Sequence, residues 1–125
     1  MKQILFILGL LILSATQASA DDTDKTGIAE GAGTYTCGEF GRFYANDPSS
    51  EKLFFSWAQG FMTGVNLSIS GQTGNHKNLD TKSSDDQMTD IRRYCDAHPL
   101  GFYLDAAMDL FHNFPFAIQR TKQGQ

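Results

Sequence analysis

The stretch Asp90–Leu100, DIRRYCDAHPL, decides how the rest of the chain is read. Cys95 and His98 stand three positions apart, about one turn on a helix. That spacing suits a nucleophile with its base, half of a metal site, or plain architecture closed by Pro99. The choice depends on the redox compartment and on the other cysteine, Cys37.

The N-terminus speaks to the compartment. Residues 1–20, MKQILFILGLLILSATQASA, carry an early positive charge at Lys2 and an apolar run from Ile4 to Leu13. Ala18-Ser19-Ala20 then supplies small residues for cleavage, which is the layout of a secretory signal peptide. The apolar run is about half of the roughly 20 residues that a bilayer span needs. The expected product starts at Asp21 after cleavage behind Ala20, in the periplasm. In an oxidising compartment two cysteines are expected to pair as Cys37–Cys95. The bridge would close a 58-residue separation, to which chain-entropy arguments credit roughly 4 kcal/mol.

The catalytic dyad then loses its thiolate, without which cysteine is not a nucleophile. Structural zinc asks for four ligands, usually as two close pairs, and only Cys37, Cys95, His98 and a distant His112 could serve. His98 is expected to cap carbonyls at a helix end, where a cation is favoured. Asp80, Asp85 and Asp86 lack the spacing of a calcium loop. No phosphate-binding glycine motif or G-x-S-x-G elbow occurs. A non-enzyme without catalytic residues, metal or cofactor is the expectation.

Ten basic residues, one of them Lys2, face 14 acidic ones, so the exported part carries a formal charge of −5. That balance disfavours nucleic acid or an anionic membrane as the partner. At low pH, neutralised carboxylates and three protonated histidines would carry the charge to about +12.

Helical periodicity organises the remainder. Residues 21–33 read as a mobile acidic leader, 34–118 as one helical domain and 119–125 as a frayed tail. Thr36-Cys37-Gly38-Glu39 fits a capping box, followed by Phe40, Phe43 and Tyr44 at helical spacing. A second helix is expected from Ser49 or Ser50 to about Ser70, with Leu53, Phe54, Trp57, Phe61, Val65 and Leu67 apolar. On it, Gly60, Gly64 and Ser68 form a small-residue stripe expected to admit another helix closely. Gly71–Ser84 reads as a long polar loop that includes His76. A third helix is expected to have its N-cap at Ser84 and stop at Pro99, and a fourth to run from Leu100 or Gly101 to Pro115. With no alternating strand pattern, the fold class is all-α, a small four-helix orthogonal bundle with one disulfide.

Aromatics exceed what one interior face needs. Phe54 and Phe55 are neighbours on a helix, as are Phe102 and Tyr103, and neighbours point about 100° apart. Phe54, Phe55, Tyr103 and the loop residue His76 therefore mark an expected partner surface, for a second copy or a client.

TCGEF (Thr36–Phe40), WAQGFMTGVN (Trp57–Asn66) and IRRYCDAHPLGFYLDAA (Ile91–Ala107) together resemble two groups of small exported helical proteins. The order Cys37, Gly60-Phe61, Cys95, Pro99 resembles the acid-stress periplasmic chaperone family typified by HdeA. That resemblance implies a homodimer that separates in acid and exposes apolar surface to unfolded clients. The GFMTG segment, the HPL junction and the Asp105-Ala106-Ala107 helix resemble the Tai/Rap immunity proteins against type VI secreted peptidoglycan amidases. That resemblance implies a dimer that plugs a toxin. Both imply a periplasmic protein-binding protein, with a scaffold of other role as the third alternative.

Overall fold

The computed structural model describes Gly27 and residues 29–118; the segments expected as signal peptide (1–20) and frayed tail (119–125) lie outside the described residues. Four α-helices follow in chain order: α1 Cys37–Asn46, α2 Ser50–Thr73, α3 Ser84–Ala97 and α4 Tyr103–Asn113. Short 3-10 segments precede α1 at Gly31–Thr34 and α3 at Leu79–Thr81. Among the described residues there is no strand, only isolated bridges at Thr36–Phe102 and Lys77–Phe116.

Each helix starts on a local device. At α1 the capping box closes both ways: Glu39 N–H donates to Thr36 Oγ1 (3.2 Å), and Thr36 N–H donates to the Glu39 carboxylate (2.7 Å). Before α2, the Asp47 carboxylate accepts from Ser49 N–H and Oγ–H. Ser83, one residue before the expected cap, accepts from Asp86 N–H at the start of α3. At α4 the Asp105 carboxylate accepts from Phe102 N–H at 3.2 Å.

The helix ends correct two expected boundaries. α2 continues past Ser70 and Gly71 to Thr73, because Gly74 supplies the left-handed cap (φ 72°) and donates its N–H to Ser70 O. α4 starts at Tyr103, later than Leu100 or Gly101. Residues 99–103 are diverted to hydrogen-bond the entry of α1: Cys37 N–H donates to Gly101 O (2.7 Å), Gly38 N–H to Pro99 O (2.9 Å), and Tyr103 N–H to Tyr35 O (2.8 Å). Two N–H groups that a helix start leaves orphaned are thereby satisfied. The Cys37–Cys95 bond crosses the same junction, its Cα atoms 4.7 Å apart.

The core is aromatic and sits where α1, α2 and α4 meet. Phe40, Phe54 and Tyr103 lie with ring centroids 4.9–5.1 Å apart, an edge or tilted geometry that adds to plain burial. Met62, Ile91, Leu110, Phe111 and Phe114 complete it.

The loop expected at Gly71–Ser84 is shorter than read and is pinned. The Asn66 side chain accepts from Lys77 N–H and donates to Lys77 O. Asn78 N–H donates to Pro115 O, and Ala117 N–H donates to His76 O. Lys77 Nζ reaches the carbonyls of His112 and Phe114. The Gly31–Thr34 segment also departs from expectation. Its residues 31–33 belong to the expected leader, yet Gly33 is buried and Ala32 packs on the core. Neither residue has much apolar area of its own, so nothing in composition marks them as folded.

Candidate functional site

Three of the four residues expected at a partner surface are interior. Phe54 is 7 %, Phe55 5 % and Tyr103 1 % exposed. The expectation assumed that a helix buries one narrow stripe. α2 instead packs against α1, α4 and the Gly31–Thr34 segment, an arc wide enough for both Phe54 and Phe55. Burial, and then the neighbouring Glu51 carboxylate, raise the Tyr103 phenol above its ordinary range. His76 is exposed and borders a shallow groove of about 300 Å³ with Thr63, Asn66, Leu67, Ser70 and Leu79.

The small-residue stripe is corrected as well. A Cβ added at Gly60 or Gly64 would meet no neighbouring atom within 4 Å, so no other described helix lies against them. They line an open apolar groove of about 460 Å³ with Phe61, Val65, Ser68 and Ile69. α2 outruns the bundle here: its last buried residue is Met62, and Leu67 is largely exposed. After Lys52 this helix carries no charged residue.

The groove leads back to the single tryptophan. Phe61 stacks in parallel on Trp57, with centroids 5.3 Å apart. On Trp57 lies the segment before α1. A Cβ at Gly33 would sit 2.2 Å from the Trp57 ring, and one at Gly31 3.3 Å. Glycine is therefore required at Gly33 by close approach, and at Gly31 also by its φ of 69°. Trp57 and Phe61 are among the apolar positions that the sequence gives α2; the Gly-Ala-Gly cover on Trp57 has no comparable sequence signal.

Charged groups cluster elsewhere. Glu51, in the first turn of α2, pairs with Arg92 of α3, whose guanidinium also lies over the Tyr44 ring of α1 at 5.5 Å. Asp90 pairs with both Lys82 and Arg93. Burial pushes the Asp90 carboxyl up, but hydrogen bonding and charge from Lys82, then Arg93, hold it below its ordinary value. Glu39 is lowered by its hydrogen bonds from Thr36, and Asp47 by those from Ser49.

Cys95 and His98 do not form a catalytic pair. Both sulfurs are in the disulfide, and His98 Nδ1 lies 2.8 Å from Tyr94 O at the end of α3, with its ring stacked on Tyr94. The described residues hold no group of three or more potential metal ligands. No described helix is long and apolar enough to cross a membrane.

The class defined by this geometry is a small all-α domain stapled by one disulfide. Comparison with protein-family models, with curated proteins and with solved structures found no match.

Proposed function

We propose that the protein is an exported, non-enzymatic binder of unfolded clients, an acid-stress chaperone of the kind its sequence resembles. The carboxylates at the helix starts carry this reading. Glu39, Asp47, Asp86 and Asp105 each accept a hydrogen bond at a helix entry, and Glu51–Arg92 joins α2 to α3. Glu39, Asp47 and Asp90 have folded-state pKa values below their ordinary ones. Such groups contribute stability above the unfolded-state pKa, roughly 4, and that stability is lost as pH falls through the lower folded value. Acid therefore loosens the starts of α1 and α2 and the tie of Lys82 to α3 together, while Cys37–Cys95 limits how far the chain opens. The mature protein is expected to suppress aggregation of an acid-denatured client near pH 3, roughly one unit below the ordinary carboxylate range, and not at pH 7. Absence of protection at both pH values would refute the reading.

A second reading, an immunity protein that blocks a secreted amidase, is favoured by the pinned segment after α2. A backbone held by Asn66 and by Pro115–Ala117 is pre-organised for a folded partner. Its test is calorimetric titration against an amidase encoded beside this chain.

A further inference from the structure

We infer that the face of α2 and α4 beneath Gly31–Tyr35 is a binding site for an uncharged chain segment of small residues, and that the protein's own N-terminal strap, with residues 31–34 in a 3-10 turn, occupies it in cis. The inference deepens the client-binding reading above, and rests on it for the identity of the outside occupant.

The resident occupant defines the chemistry of the site. Residues 31–35, GAGTY, hold no charge and only one large side chain. Their backbone lies directly on the Trp57 ring, closer than any Cβ would allow at Gly33. Ala32 packs on the core, its segment touches both α2 and α4, and Tyr35 sets its ring against Phe43 and Phe54. The site accepts main chain with small side chains over a flat aromatic floor, then an aromatic anchor at one end.

The strap fills only part of the available face. Phe61 stacks on Trp57 and also lines the open groove that runs to Ile69. From Gly60 to Ile69 the helix rises about 14 Å, room for roughly four residues of chain if these run extended. No charged side chain of α2 interrupts this path. A bound segment could thus enter along Val65 and Phe61 and displace the strap at Trp57.

The strap is also built to leave. Its hinge is firm: Tyr35 O accepts from Tyr103 N–H, and Cys37 is fixed by its disulfide and by Gly101 O. Ahead of that hinge the hydrogen bonds of the strap are local, Thr34 Oγ1–H to Gly31 O and Tyr35 N–H to Ala32 O. Two glycines in four residues add conformational entropy to the released state. Little apolar area and few long-range bonds place a segment at the low-stability end of a structure.

Gly33→Val in the full mature chain tests this, since any Cβ there must collide with Trp57. The expected result has three parts: stronger acrylamide quenching of the single tryptophan, new binding of a hydrophobic dye at pH 7, and an unchanged helical circular-dichroism signal. A free peptide of residues 29–35, AEGAGTY, should then restore Trp57 shielding and displace the dye. In the wild-type protein, amides of residues 31–34 should exchange at least about 100-fold faster than those of the buried part of α2. Exchange of those amides only at the global unfolding rate would overturn the inference, and so would exposure of Trp57 without dye or peptide binding. If the wild-type protein protects clients in acid while Gly33→Val binds neither dye nor peptide, the site is wrong and the chaperone reading stands. If Gly33→Val binds both and neither protein protects a client, the chaperone reading is wrong and the site stands.

Discussion

Glu51 shows how one side chain ties three helices. It is 9 % exposed, lies in the first turn of α2 where the helix dipole favours an acid, and pairs with Arg92, which in turn covers Tyr44. Removing its charge leaves the guanidinium partly buried without its carboxylate. Glu51→Gln should cost about 1–3 kcal/mol in urea unfolding, below the full value for a buried pair because Arg92 is 31 % exposed. An Arg92→Gln double-mutant cycle would separate the pair from the rest, and additive single costs would show that the contact contributes nothing. Phe40→Ala, at the centre of the aromatic cluster, should cost about 3–5 kcal/mol through lost burial and a cavity. His98 and Cys95 belong to this scale too: their spacing was legible, and the second cysteine and Pro99 were enough to read it as architecture.

Among the elements, α1 has the most complete local specification. Thr36→Ala removes the acceptor for Glu39 N–H and should cost about 1 kcal/mol by thermal or urea unfolding. The loss should shrink in acid, because protonation of Glu39 already weakens the reciprocal bond to Thr36 N–H. The segment between α2 and α3 depends instead on one distant side chain. Asn66→Ala removes both bonds to Lys77, and limited proteolysis should then cut within residues 74–83 while the helical signal persists. Protection equal to wild type would mean that the pairing with Pro115–Ala117 suffices alone. Capping and apolar period let α1 and α3 be located closely from sequence. The C-terminal end of α2 and the start of α4 differ from the sequence reading because Gly74 competes with Gly71 as a cap, and because residues 99–103 serve α1 before they can start a helix.

At the scale of the molecule, stability and pH are linked through depressed carboxylates. Glu39, Asp47 and Asp90 stabilise the fold fully above about pH 4, and their contributions disappear as pH drops through their lowered folded values. Urea midpoints should therefore fall steadily below about pH 4 and be nearly flat from there to neutrality; a midpoint that rises on acidification would contradict this. Reduction of Cys37–Cys95 should remove roughly 4 kcal/mol, with a share arising from native contacts at the α1 junction. Sequence alone determined the helical class, the disulfide and the starts of α1, α2 and α3, since these follow from period, capping and cysteine arithmetic within a few residues. Only the tertiary structure decided that Phe54 and Phe55 both go inside, that Gly60 and Gly64 face an open groove, and that Gly33 lies on Trp57. Those outcomes depend on how many elements surround α2, a property of long-range packing that no local window of residues carries.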